Sequence, residues 1–424
     1  MKTDICLVSV AGNKELGHSP NVGLATLSAA LKQEGFSSEV IHHNYRRPMN
    51  QIDTLVRSIK SKKPKVVGFS LFWNNYHASA AMAEVIKDFD DPPTVIFGGN
   101  LATAASDLIL ADTEAVDYIF TGYSEKTLVD FMKGKRNGRV IDGNFEDINQ
   151  TPLGDRRYLW NQHKKEKHIS IDVARSDCQG GCNFCLSSFM RKNYINGQNR
   201  YRSVDSVVGE IEYWKSRGVE TFLLNSEDIL ANPSYFDNFI NALGEVNHQL
   251  NLKLEMRAPS IVRHQDLVKK MFSHRHIYPI IEVGLQTFSD DMLSMMGNGS
   301  TSEINFQAMD FLMDHFGKKG ERGSGASAYF LFPHPDMTPE QLMENINLFN
   351  EHGDYLDAVA KVFAVLAFGR FDAFPGTRLF DTLIKRGEQP DPKQGFTIDY
   401  KFTHKKVQKG WEEYQETWKE VNYK

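Results

Sequence analysis

Hydrophobic residues in the first 145 positions fall in short solid blocks separated by stretches with helical spacing. Asp4-Ile-Cys-Leu-Val-Ser-Val10 is a branched apolar run, the pattern of a strand buried on both faces. After the loop Ala11–Pro20, apolar residues recur at helical spacing from Asn21 to Leu31, with Gly35 placed to end the helix. Further strands are predicted at Ser38–His42, Val66–Leu71, Thr94–Phe97 and Tyr118–Thr121. Strand–helix alternation of this kind predicts a doubly wound parallel sheet, with its ligand crevice at the carboxyl ends of the strands. Polar or glycine-bearing segments fall at those ends: Ala11–Pro20, Ser70–Tyr76, Gly98–Thr103 and Gly122–Glu125.

A second alternating series starts near His168. Strands are predicted at Ile169–Val173, Thr221–Leu224, Leu252–Arg257, Ile280–Thr287, Ala326–Phe332 and Ala360–Phe368, with a helix at Ser203–Arg217 capped by Ser203. Six such units suit a partial parallel barrel, whose chemistry belongs at the carboxyl ends of its strands. The chain divides on this reading into an α/β domain at 1–145, a barrel at 146–385 and a short helical extension at 386–424. That extension ends in the aromatic, acidic stretch Trp411–Trp418.

Composition narrows the class. The 424 residues suit two domains, and 41% hydrophobic with 24% charged residues is ordinary for a globular chain. No apolar run approaches the roughly 18 residues of a membrane span, and the amino terminus lacks a signal-peptide layout. A net charge of −5 argues against a nucleic-acid surface. Four cysteines, three of them clustered, make no disulfide framework and point to a reducing cytoplasm. Cys6, in the middle of the first strand, reads as an inert core thiol.

The cluster itself is Cys178-Gln-Gly-Gly-Cys182-Asn-Phe-Cys185. Three thiolates at these spacings can meet on one centre, and they leave a four-iron cluster one protein ligand short. Gly180 and Gly181 allow a tight return of the backbone, and Phe184 supplies an apolar wall. A structural zinc site would need a fourth ligand and a second paired knuckle, and only Cys6 remains.

This loop resembles the cluster-binding segment of the radical S-adenosylmethionine (SAM) enzymes. Similar to the same family are Ile281-Glu-Val-Gly-Leu-Gln-Thr-Phe288 followed by Met296-Gly-Asn-Gly299, the proline turn Leu331–Gln341, and Phe374-Pro-Gly-Thr-Arg378. The first domain resembles the cobalamin-binding domain of some members through Pro20…Gly23-Leu24, Val67-Gly-Phe-Ser70, Gly98-Gly99 and Asp117–Gly122…Glu125. It departs from them in lacking Asp-x-His-x-x-Gly, which would give cobalt an imidazole.

The resemblance implies a [4Fe-4S] cluster on Cys178, Cys182 and Cys185 and SAM chelated to its open iron. One electron then cleaves SAM to a 5′-deoxyadenosyl radical. It places Asn225, Ser226 and Glu227 at the methionine amino group and Arg257 at the carboxylate, with Glu282 and Gln286 as catalytic candidates facing adenosine or substrate. For cobalamin it offers Ser70, Trp73, Gly98, Gly99 and Gly122, the glycines allowing a flat macrocycle to approach. Trp73 or Tyr76 would cover its lower face or fill an emptied cavity. The implied reaction is a cobalamin-dependent C-methylation or rearrangement of a natural-product precursor. A cobalamin-free enzyme that cleaves, splices or epimerises a peptide, with the first domain used for docking, is the alternative. A small-molecule or peptide substrate and a flavodoxin- or ferredoxin-type electron donor are the implied partners. A methylthiotransferase would need a second cysteine trio, and an epimerase a later thiol; the sequence has neither.

Overall fold

The computed structural model describes residues 3–10, 21–43, 50–143, 145, 147–166, 168–195, 200–316, 325–331, 333–351 and 363–422. The loop Ala11–Pro20, Phe332 of the proline turn and Ala360 at the expected start of the last barrel strand lie outside these residues. Two six-stranded sheets form the chain. The first contains β1 (Ile5–Val10), β2 (Ser38–His43), β3 (Val66–Ser70), β4 (Thr94–Gly98), β5 (Tyr118–Thr121) and β6 (Val140–Asp142). Its order is β2-β1-β3-β4-β5-β6, and every pairing is parallel. β1 and β3 are buried along their whole length, as solid apolar blocks covered by helices on both faces require. Connections leave β1 and β3 in opposite directions, so the crevice opens above their carboxyl ends. The short edge strand β6 was not expected; its three residues lack an apolar block.

Asn21 shows how this edge is organised. Its side chain accepts from the Leu24 N–H at 3.0 Å and caps the helix Val22–Gln33. The amide also donates to Ser70 Oγ at 3.0 Å, tying the helix start to the end of β3.

The second sheet holds β7 (Ile169–Asp172), β8 (Thr221–Asn225), β9 (Leu250–Met256), β10 (Ile277–Gln286), β11 (Gly325–Leu331) and β12 (Phe363–Gly369). These strands pair in sequence order, all parallel. β9 and β10 alternate strictly between buried and accessible positions. The buried set packs under outer helices in a core with Trp214, Phe222, Phe236, Phe239 and Phe316. The other set faces the lumen of a partial (β/α)6 barrel. Along the wall of that lumen, on neighbouring strands, Asp172 is in register with Asn225, and Glu282 with Glu255 and Ser327.

The carboxyl-terminal extension differs from the all-helical expectation. Residues 391–402 form turns and isolated bridges, including Ala373 with Ile398, before a helix at Lys405–Asn422. Phe396 enters the core of the first sheet beside Tyr76, with ring centroids 4.8 Å apart. Ile398, Tyr400 and Phe402 join Met292, Met296 and Met337 in a barrel-side core. Among the described residues no helix is long and apolar enough to cross a membrane.

Candidate functional site

The cysteine loop extends from β7 and ends in the helix Leu186–Tyr194, for which Cys185 is the cap residue. That helix start turns positive dipole toward the loop. Two arginines bind its carbonyls and a third binds a neighbouring turn. Arg191 donates to the carbonyls of Cys178 and Gly180, Arg378 to that of Gly181, and Arg257 to that of Asn298 across the loop. A Cβ on Gly180 would lie 3.2 Å from the Arg257 guanidinium and 3.3 Å from Cys178 Sγ, so a larger residue would push on both neighbours. The Gly180 N–H donates to Cys178 Sγ at 3.3 Å, and Asn298 Nδ2 to Cys182 Sγ at 3.7 Å. Phe184 packs on Phe371, 4.7 Å between centroids, as an apolar wall.

Burial pushes the Cys178 thiol up to about 12 and the Cys185 thiol to about 11, and it raises that of Cys182 too. Metal must therefore displace protons from thiols that are neutral on their own. The described residues contain no group of three Cys, His, Asp or Glu side chains gathered for a single metal ion. A four-iron cluster instead spreads its thiolates over three irons. Sulfurs that neighbour one another electrostatically, ringed by N–H donors and arginines, fit an anionic cluster of that size.

A carboxylate pair lies beside the loop. The Asp177 N–H donates to Glu227 Oε2 at 2.9 Å, and the Glu227 N–H returns a bond to Asp177 Oδ1 at 2.8 Å. Ser226 Oγ donates to the other Asp177 oxygen, fixing the 225–227 turn to the residue before Cys178. Burial and the adjacent Asp177 raise the Glu227 carboxyl well above its usual range. Asn225 donates through Nδ2 to Asp172 at 2.9 Å. Asp228 caps no helix with its side chain; it accepts from Ser260 Oγ at 2.6 Å, and burial raises it to about 6.

Deeper in the lumen, Glu282 accepts from Tyr329 Oη at 2.5 Å and pairs with Lys253 at 2.9 Å. Its neighbour Glu255 is raised to about 7, first by desolvation and then by Glu282. Gln286 ends β10 at φ +68°, left-handed for a non-glycine residue, and its buried Oε1 has no hydrogen-bond partner. Strain combined with an unmet acceptor marks a position held for a purpose other than packing.

Above the first sheet lies a cavity of about 700 Å³. Ser70, Trp73, Gly98, Gly99 and Gly122 line it, and from the barrel so do Asn225 and Glu227. Of the remaining expected residues, Ser226 and Arg257 stand with the cysteine loop, whereas Glu282 and Gln286 stand on β10. Two of the glycines also serve the fold. A Cβ on Gly99 (φ +94°) would meet the Leu71 backbone at 2.8 Å, and one on Gly122 (φ +61°) the Tyr194 ring at 2.3 Å. The chain's own close packing therefore requires these two glycines. Tyr76 faces away from the cavity: it is buried, and its hydroxyl donates to Asp112 at 2.6 Å. Trp73 does line the cavity and packs on Phe374 at 4.4 Å. Strand ends at a topological switch, polar and aromatic walls and this volume suit a large flat cofactor.

Asp177, Glu255 and Asn298 escaped sequence reasoning. Asp177 adjoins the first cysteine, Glu255 lies two residues before Arg257, and Asn298 sits in the Met-Gly-Asn-Gly motif. Adjacency to a recognised motif was the available signal for each.

A doubly wound sheet whose cavity adjoins a tri-cysteine barrel loop sets a site for a large flat cofactor beside one for an iron–sulfur cluster. Residues 8–132 match the B12 binding domain family and residues 176–349 the Radical SAM superfamily. Residues 176–349 thus carry a radical SAM superfamily domain, and residues 8–132 ahead of it a B12-binding domain. Its fold is similar to that of the cobalamin-dependent SAM radical enzyme OxsB, whose structure holds aqua-cobalamin and SAM. The TM-score is 0.75 at 14% identity, covering 99% of this chain and 67% of that one. It is also similar to the radical SAM methyltransferase TsrM from Kitasatospora setae, solved with cobalamin and a [4Fe-4S] cluster. There the TM-score is 0.65 at 17% identity, covering 91% and 75%. In sequence it is 21% identical to a ribosomal protein uS12 methylthiotransferase of Acetivibrio thermocellus over 49% of this chain, and it spans 47% of that relative's length. It is 19% identical to an uncharacterized methyltransferase of Pyrococcus horikoshii, covering 86% and 78%.

Proposed function

We propose that this chain is a cobalamin-dependent radical SAM enzyme that methylates or rearranges a carbon centre of a small natural-product precursor. The observation that carries this reading is the shared cavity. Ser70, Trp73 and the glycine loops of the B12-binding domain border the same space as Asn225 and Glu227 of the barrel. Cys178, Cys182 and Cys185 hold the [4Fe-4S] cluster, and the first-domain crevice holds cobalamin. When bound, these groups and SAM supply the radical and methyl-transfer chemistry.

The chain's own residues bind, orient and exclude water. Glu227 and Asn225 offer acceptors to the ammonium of SAM, and Arg257 offers a guanidinium to its carboxylate. Glu255, Glu282 and Gln286 face adenosine or substrate from the lumen. Trp73, braced by Phe374, shields the cavity floor where no imidazole motif exists. A flavodoxin- or ferredoxin-type protein supplies the electron. The working units under this proposal are 1–145, 146–385 and 386–424.

Anaerobic reconstitution with iron, sulfide and hydroxocobalamin, followed by desalting, tests it. Expected are four irons per chain, retained corrin bands, and 5′-deoxyadenosine once SAM and a reductant are added. A protein that assembles the cluster and cleaves SAM but retains no corrin would replace this reading with the peptide-modifying alternative.

A further inference from the structure

The three residues leading into the first cysteine touch the B12-binding domain and the cluster site in turn. Arg175 is 8% exposed, and its Nη2 pairs with Glu125 at 2.7 Å. Its guanidinium also lies over the Tyr123 ring, 4.7 Å from the centroid. Ser176 has φ +46° and exchanges a hydrogen bond with the Tyr123 hydroxyl at 3.1 Å. Asp177 is fully buried against Ser226 and Glu227, and Cys178 follows. A left-handed non-glycine backbone persists only where its surroundings over-determine it. From one side those surroundings are Tyr123 and Glu125, which follow β5 and line the cavity. Arg200 supplies the other side, donating to the Ser176 carbonyl at 3.1 Å.

We infer that Tyr123 and Glu125 are positioning residues for the cluster: through Arg175 and Ser176 the B12-binding domain sets the path of the loop that presents Cys178. This rests on the proposed cluster but not on cobalamin or on any substrate. Groups bonded directly to a metal ligand typically change metal retention by roughly ten- to a hundredfold; Tyr123 and Glu125 act from further out, through Ser176 and Arg175, so the low end of that range is expected.

The test uses the full chain reconstituted anaerobically with iron and sulfide alone. Iron loss to a chelator and the electron paramagnetic resonance signal of the reduced cluster are followed for wild type, Tyr123→Phe, Glu125→Gln and the double variant. Ser28→Ala serves as a control: it breaks the 2.9 Å bond from the first domain to Asp155 without touching the cysteine loop. Thermal melts of the apo-proteins check folding. Expected is iron release from the double variant roughly tenfold or more faster than wild type, with an altered signal and an unchanged apo melt. Ser28→Ala should match wild type. Equal iron retention in double variant and wild type overturns the inference, as does equal iron loss in Ser28→Ala, which would assign the effect to domain docking in general. A wild type that assembles no cluster defeats the proposed function and this inference together, so the two failures are told apart by the wild-type sample.

Discussion

Each cluster cysteine sits among different supports, yet none has a substitute, because Cys6 is fully buried within β1 in the other sheet. Cys178→Ala, Cys182→Ala and Cys185→Ala should each abolish stable cluster assembly, read as iron and sulfide per chain. Cys6→Ser should leave iron content unchanged and cost roughly 1–3 kcal/mol of stability, read by denaturant melts, through an unmatched buried hydroxyl. Arg257→Met, with cluster content checked first, should weaken SAM binding by roughly ten- to a hundredfold, the worth of one charge-assisted bond. Wild-type affinity would assign the carboxylate to another residue. Glu227 adds a pH dependence. Its folded-state pKa is raised above the ordinary value of 4.5, chiefly by burial, so its stabilising share is complete at more acid pH. That share is lost as pH rises from the ordinary glutamate range through the raised value. The apo melting temperature of Glu227→Gln should therefore gain on wild type as pH climbs from 5 to about 8. A pH-independent difference would show that Glu227 does not titrate across that range.

At the scale of elements, solid apolar blocks made the strands legible. β1, β3, β4 and β5 lie within a residue or so of expectation, and β7 to β11 within about three. β6 stayed hidden because three half-accessible residues give neither a block nor an alternation. The site was legible where a motif names its chemistry, as at the cysteines, and not where geometry alone decides. No periodicity reports that Gly122 makes room for Tyr194 or that Tyr76 turns into the core. Residues 391–402 are the same kind of case: they fell within an extension read as helical, whereas Gly395 (φ +62°) presses on the Trp73 backbone. A Cβ there would lie 2.2 Å from the Trp73 carbonyl. Gly395→Ala should therefore displace this segment, lowering the melting temperature and quickening proteolytic cleavage near residue 395. An unchanged melt and cleavage pattern would mean that the segment docks through Phe396 and Tyr400 alone.

For the molecule as a whole, strand order carries a consequence for synthesis on the ribosome. Apart from the exchange of β1 and β2, every strand in both sheets pairs only with strands adjacent in sequence. A nascent chain can lay down each unit on a template already in place, and such local pairing favours fast, vectorial folding. The segment 391–402 breaks that pattern, because it packs on both sheets at once. A chain still tethered at that point has its three cysteines in place but lacks the strap across Trp73. Iron delivered at that stage would meet a loop whose cavity wall is unbraced.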